Sequence, residues 1–318
     1  MAADEAIELA LQFESGENTL AGSLTTPAVG GPLPAVLMLP GSGQTDRDSN
    51  AKQLKINLFR PIVEALANEG VASFRYDKRG VGSSGGSFWT TGFNDLYEDA
   101  EAAIGFLASR PEIDPKRIYC LGHSEGAILS LMLAARSGKV AGAVLLAGAA
   151  KTGEETILWQ TRKIAASLTG LNRLILKLFR IDVVAGVSKN LARIRSTQRD
   201  ALRIQGRMVN AKWMREFLDH DPKMDLEELR APTLALTGSS DVQVDPEDIE
   251  EMVRLAPEHL VGRVLDGLSH LLRPDMSGSG LKGYRKQAKQ PVDTQMLEIV
   301  SNWLSEQART KNQVKKER

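Results

Sequence analysis

In Tyr119-Cys-Leu-Gly-His-Ser-Glu-Gly126 one serine stands between two glycines, directly after a short apolar run and before another. A serine hydroxyl is a useful nucleophile only with a base to take its proton, an acid to orient that base and N–H donors for the oxyanion it creates. "RIYCLG" reads as a strand, His123-Ser124-Glu125 as a bend and "GAILSLMLAARSG" as an apolar helix ending at a glycine. A nucleophile elbow needs this order, with small residues two positions either side of the serine so that strand and helix do not clash. Gly122 and Gly126 meet that need. The blander account, a structural serine in a glycine-rich turn, does not explain the strand-to-helix junction.

The base is found by elimination among His123, His220, His259 and His270. His123 adjoins the serine inside the elbow, where its side chain is expected to point away from Ser124 and to pack structurally. His220 falls in a helical stretch, and His259 precedes the strand-like "LVGRVLDG". His270 follows that strand in "DGLSHLLRP", where a loop can hang it over the sheet's edge. The acid is expected after a strand between Ser124 and His270, and "PTLALTGSSDVQVDPEDIEEM" offers Asp241 and Asp245. Asp245 precedes Pro246 and reads as a helix N-cap with proline at the first helical position. Asp241 is therefore the assigned acid and Asp245 the alternate. One oxyanion N–H would come from the residue after the nucleophile, Glu125. The other is assigned to Ser42 in "LMLPGSGQTDRDSN", with Gly43 as its alternate. In that loop Asp46, Arg47 and Asp48 read either as an ion-pair cluster that fixes the chain or as a solvated charge run.

These residues need a scaffold. The runs at 34–40, 71–77, 117–122, 141–148, 232–238 and 260–267 look like buried strands, and helical patterns such as "LFRPIVEALANEG" and "DLYEDAEAAIGFLASRP" lie between most of them. That alternation predicts an α/β fold with a mainly parallel central sheet and helices on both faces. "AIELALQF" and "TLAGSLTT", split by "ESGEN", predict an antiparallel hairpin at the start. From Lys151 to Arg230 the rhythm breaks. Only amphipathic segments such as "LNRLILKLFRI", "RSTQRDALRIQGRMV" and "AKWMREFLDH" appear there, which predicts a mostly helical insertion without strands. The expected organisation is a core of residues 1–150 and 231–310, an insertion of 151–230 and a basic tail of 311–318.

Length and composition bound the rest. The chain has 318 residues, 42% hydrophobic and 25% charged, enough for a sizeable core in one large domain with an insertion or in two smaller ones. Forty basic residues balance forty acidic ones, so no bulk field recruits nucleic acid or an anionic membrane. The acidic start "MAADEAIELALQFESGENTL" lacks the basic, then apolar, pattern of an export signal, and no uncharged run approaches the roughly 18 residues of a membrane span. The cytoplasm is the expected location. A single cysteine, Cys120, excludes an internal disulfide and, with scattered histidines, argues against structural zinc.

Taken together, the order serine, aspartate, histidine along an alternating chain resembles the α/β-hydrolase superfamily over almost its whole length. "PGSGQTDRD", "RYDKRGVGSSGG", "GHSEG", "GSSDVQVDP" and "GLSHLL" are similar to its esterase and serine aminopeptidase-like branch, although that branch commonly has His-Gly where this chain has Pro40-Gly41. The resemblance implies that 151–230 is a cap over the active site and that Asp77, Arg79, Gly80 and Gly82 form a structural loop.

The expected chemistry is hydrolysis of a carboxylic ester by Ser124, His270 and Asp241 through an acyl-enzyme, with Ser42 and Glu125 as the oxyanion hole and no metal or organic cofactor. Thioester or peptide hydrolysis by the same residues is the nearest alternative, and a non-catalytic binding protein the alternative from another class. The expected ligand is a small ester with an apolar acyl group. Trp159, Phe179, Trp213 and Phe217 are candidate pocket walls, against the simpler expectation that they pack the insertion onto the core. "LNRLILKLFRI" also suggests an interfacial lipase. The basic stretch "RPDMSGSGLKGYRKQAKQ" is expected to be an exposed, solvated loop.

Overall fold

The computed structural model describes residues 6–28, 30–167, 182–276 and 278–313. The chain opens with an antiparallel hairpin, β1 (Ile7–Ser15) and β2 (Asn18–Thr26). Five parallel pairings then join β3 (Leu33–Leu39), β4 (Ala72–Tyr76), β5 (Ile113–His123), β6 (Ala143–Leu146), β9 (Thr233–Gly238) and β10 (Leu260–Leu265). The eight-stranded sheet runs β1-β2-β4-β3-β5-β6-β9-β10, with β2 antiparallel to β4. The mainly parallel sheet expected from the sequence is present, and its strands fall close to the predicted runs.

Every residue of β3 is buried, and successive side chains enter opposite layers. Ala35, Leu37 and Leu39 join one apolar cluster, Val36 and Met38 the other. Period-two alternation buried on both sides is what a central parallel strand requires. The first layer contains α2 (Phe93–Ala108), α3 (Glu125–Arg136) and α8 (Asp248–Leu255). The second contains α1 (Phe59–Asn68) and α10 (Thr294–Gln313), with Phe59, Ile62, Val63 and Leu66 of α1 spaced along one helical face. Helix α3 differs from these: its residues from Glu125 to Ala134 are all buried, so it is apolar around most of its circumference.

Between β6 and β9 lie α4 (Gly153–Ala166), α5 (Val183–Ser196), β7 (Ala201–Ile204), β8 (Arg207–Asn210), α6 (Ala211–Asp219) and α7 (Pro222–Glu228). Part of this region has its own small apolar cluster around Leu191, Ile194, Ala211 and Leu218. The expectation of a strandless insertion is corrected here. Within "RSTQRDALRIQGRMV", β7 and β8 pair antiparallel across Gln205-Gly206, both of which have positive φ, at 49° and 78°. That is the backbone of a tight hairpin turn, whose twist matches that of the strands it joins.

A second correction concerns residues 273–290. This stretch contains α9 (Gly280–Gln287) and buries Arg273, Asp275, Tyr284 and Gln287. The Arg273 guanidinium donates to the carbonyls of Leu271 (2.7 Å), Gln290 (3.0 Å) and Ile56. These contacts let a charged side chain enter the core, so the stretch is anchored at these four residues, while Lys282, Arg285, Lys286 and Lys289 are exposed as expected. "LNRLILKLFRI" and Phe179 lie outside the described residues, as does the end of the basic tail beyond Gln313. Among the described residues no helix is long and apolar enough to cross a membrane.

Candidate active site

Parallel strands deliver their following loops to one edge of the sheet, and β3 and β5, neighbours in the sheet, send the chain to opposite sides after they end. Such a switch point opens a crevice beyond the carboxyl ends of the strands. Ser42 follows β3 and Ser124 follows β5, so both flank it.

Ser124 has φ 56° and ψ −116°, a strained conformation for a residue with a side chain, costing about 1–3 kcal/mol. The surroundings enforce it. A Cβ at Gly122 would sit 1.8 Å from the carbonyl oxygen of Gly126, and one at Gly126 would sit 2.0 Å from that of Leu39. Strand, turn and helix therefore approach as closely as backbones allow, and only glycine fits at both positions. Helix α3 begins at Glu125, so its first N–H groups and positive dipole end face the region of the serine.

His270 and Ser124 line the same cavity, of about 300 Å³, together with Ser42 and Gly41. The His270 ring is buried, and its Nδ1 lies 2.8 Å from Oδ2 of Asp241. Asp241 is fixed in turn, its Oδ1 accepting from the backbone N–H of Gln243 (2.7 Å) and Val244 (3.0 Å). Asp245 faces elsewhere. Its Oδ2 accepts from Lys151 Nζ at 3.0 Å and its Oδ1 from the Glu247 N–H at 3.2 Å, so it caps the turn that leads into α8, which starts at Asp248. The intervening residues form a tight turn, with Asp248 N–H donating to the Asp245 carbonyl at 3.0 Å.

His123 does more than fill space. Its Nε2 lies 2.8 Å from the carbonyl oxygen of His270, and the two rings pack at 4.8 Å between centroids. Neutral imidazole with the proton on Nε2 can donate that bond. Burial, and then the nearness of His270, push the His123 pKa down to about 3, so the ring stays uncharged. The sequence showed His123 only as an elbow residue. Its contact spans 147 positions and depends on how the loop after β10 folds back.

The Asp46-Arg47-Asp48 run is anchored, though not mainly to itself. Arg47 makes a two-point contact with Asp77 through Nε (3.1 Å) and Nη2 (2.7 Å). Burial alone would raise the Asp77 carboxyl, but hydrogen bonds from Arg47 and the Ser83 N–H hold it below its usual range. Asp48 accepts from the fully buried Arg75 at 2.7 Å and from Arg60 at 3.0 Å. Asp46 accepts the N–H groups of Asp48 and Asn50. The loop bearing Ser42 is thereby tied to β4, and Arg79 of the neighbouring loop pairs with Asp99 at 2.7 Å.

Two further cavities meet Ser42 and Glu125. One of about 260 Å³ also reaches Ser124 and is lined by Ile128, Ala147, Ala149, Ile157 and Phe217. The other, of about 570 Å³, is lined by Phe88, Trp89, Met208 and Lys78. Trp213 and Met214 line both. Trp213 stacks on Phe217 at 4.9 Å, and Phe217 packs on Phe93 of the core at 5.6 Å, so these aromatics both bound a cavity and join the insertion to the core. Trp159 instead carries the Lys163 ammonium over its ring at 5.1 Å.

A family model described as serine aminopeptidase, S33, matches residues 55–275. The chain is 28% identical over 291 residues to Esterase EstD of Thermotoga maritima, covering 90% of this chain and 66% of that relative's own length. Among solved structures it resembles Est1E from Butyrivibrio proteoclasticus with bound ferulic acid, at TM-score 0.62 and 17% identity over 93% of this chain and 97% of that one. The α/β hydrolase GrgF from Penicillium is similar at TM-score 0.63 and 17% identity, covering 95% and 99%. These structural likenesses establish the α/β-hydrolase fold.

Proposed function

This chain belongs to the serine aminopeptidase, S33, family, and from that premise we propose that it hydrolyses carboxylic esters through Ser124, His270 and Asp241. The observation that carries the reading is the Asp241–His270 contact at 2.8 Å beside a cavity shared by His270, Ser124 and Ser42. Asp241 keeps the proton of His270 on Nδ1, which leaves Nε2 free to act as base. Nε2 takes the proton of the Ser124 hydroxyl as Oγ attacks the ester carbonyl. The oxyanion accepts from the N–H groups of Ser42 and Glu125. His270 then gives its proton to the departing alkoxide, leaving Ser124 acylated. Water, deprotonated by the same nitrogen, attacks the acyl-enzyme and restores the hydroxyl as the carboxylic acid leaves.

The cavities divide by this chemistry. A leaving group must meet His270, so it belongs in the cavity of about 300 Å³ that His270 lines. The acyl group belongs in the apolar cavity of about 260 Å³ beneath Phe217, which favours small to medium acyl chains. The described parts of residues 151–230 act as a cap, since Trp213, Met214 and Phe217 supply walls to these cavities.

Ester rather than aminopeptide is favoured by charge. A free substrate ammonium needs a carboxylate; among the described residues the cavity of about 300 Å³ is lined by no acidic side chain, and the other two share Glu125, which is already paired with Lys78. A matched panel of p-nitrophenyl esters, acyl thioesters and aminoacyl anilides tests this. The reading expects kcat/KM to be highest for esters of short to medium acyl groups. Preferred cleavage of the anilides would overturn it.

A further inference from the structure

We propose that Lys78 and the side chain of Glu125 form a clamp that orients both N–H donors of the oxyanion hole, an inference that rests on the ester-hydrolase reading above. Lys78 follows β4, yet its ammonium crosses the switch point of the sheet to reach two other elements. Nζ donates to the carbonyl of Gly41 at 2.6 Å and to Oε1 of Glu125. Both side chains are almost wholly buried, at 5% and 2% exposure. The pair is therefore a desolvated, short-range device rather than a surface ion pair.

Peptide geometry links the first contact to the hole. The Gly41 carbonyl and the Ser42 N–H belong to one peptide unit, which is planar and trans, so the two bonds point in opposite directions. Holding the carbonyl fixes the direction of the amide. Two donors hold it: Lys78 Nζ, and Thr45 Oγ1 at 2.9 Å. The unit lies against the nucleophile, since a Cβ at Gly41 would be 3.4 Å from Cβ of Ser124. A cationic donor on the carbonyl also polarises the peptide and strengthens the N–H on its far side.

The second contact fixes the other donor. Glu125 supplies the first N–H of α3, and its carboxylate is tethered to the same ammonium. Oε2 of that carboxylate is buried and has no hydrogen-bond partner among the described residues, so Lys78 is what locates it. One ammonium thus sets the spacing between the loop after β3 and the start of α3, the two segments that must face a single oxygen. A lysine suits the task because three donors on a compact charge can diverge toward separate acceptors.

Neither side chain touches the reacting atoms, so both are positioning residues. Their test uses Lys78→Met and the double variant Lys78→Met/Glu125→Gln, because the single change leaves a buried carboxylate unpaired and can weaken folding by itself. In both variants kcat is expected to fall roughly a hundredfold while KM stays within a few-fold, the pattern of a misplaced transition-state donor. Affinity for butylboronic acid, whose tetrahedral adduct places an oxygen in the hole, should fall in parallel with kcat/KM.

Recovery of kcat to near wild type in the double variant would overturn the clamp, since the defect would then belong to the unpaired charge. Loss of kcat with unchanged boronate affinity would overturn it equally. Ser124→Ala separates the two readings. If that variant is inactive while the Lys78 variants are unimpaired, the clamp alone fails; if it still hydrolyses esters, the underlying assignment fails.

Discussion

Nδ1 of His270 lies 2.8 Å from Oδ2 of Asp241, although 29 positions separate them in the chain. The contact follows from sheet topology. β9 and β10 are parallel neighbours with Gly238 paired to Leu265, and each residue sits in the loop that leaves its strand at the same edge. Helix α8 returns the chain between the two strands, so their loops emerge side by side.

That relationship makes the acid assignment testable. Asp241→Asn should lower kcat by about 10⁴-fold, because an amide no longer holds His270 in the productive tautomer. Asp245→Asn, which disturbs a contact with Lys151, should leave kcat within a few-fold of wild type. Steady-state kinetics on one short-chain ester compares the two directly.

The elbow should tolerate no added methyl group. Gly122→Ala and Gly126→Ala each force a carbon to within 2.0 Å or less of a backbone oxygen. Backbone must move to relieve the clash, so each variant should lose at least about 2 kcal/mol of stability. Urea unfolding measures the loss, and active-site titration should show it accompanied by fewer competent serines.

His123 should tilt the stability profile in acid. Its pKa is about 3 in the folded protein, lowered chiefly by burial, against an ordinary 6.5. Between these values the unfolded chain binds a proton that the folded chain refuses. Stability from this group is complete above pH 6.5 and is lost as the pH falls, at up to about 1.4 kcal/mol per pH unit. His123→Gln retains an N–H donor for the His270 carbonyl but cannot titrate. The difference in unfolding free energy between wild type and this variant should therefore change across pH 4–7, moving in the variant's favour as acid is added.

Much of this arrangement was legible in the sequence, and the parts that were not share a cause. Alternating strand and helix segments announced the sheet, and the strand-turn-helix setting of Ser124 announced the elbow, because both are local patterns. Strand order narrows the acid to Asp241 or Asp245 and the base to the histidine after the last strand, and the capping pattern of Asp245-Pro246 separates the two aspartates. Lys78 carries no local signal beside Asp77 and Arg79, since its inward reach depends on β4 lying next to β3 and β3 next to β5. The hairpin at 201–210 has no strand signature, because Ala201, Leu202 and Arg203 are good helix formers and Gln205 is an unusual residue at positive φ. Arg273 has the same difficulty: two of its three carbonyl partners, those of Gln290 and Ile56, are distant in the chain and have no sequence signature.

Trp213 offers a test of the proposal that the cap sets acyl length. It lines both the cavity of about 260 Å³ and that of about 570 Å³. Trp213→Ala should join them and shift the preferred ester to a longer acyl chain, raising the ratio of long- to short-chain kcat/KM by about tenfold. A p-nitrophenyl ester series from acetate to decanoate reads the change.

The central claim is that Ser124 is the acylated nucleophile, and a fluorophosphonate probe with mass mapping of the adduct tests it most directly. The account predicts stoichiometric labelling on Ser124 that abolishes ester hydrolysis, no labelling in Ser124→Ala, and slow labelling in His270→Ala. Near wild-type hydrolysis in Ser124→Ala, or an inactivating adduct at another residue, would contradict it.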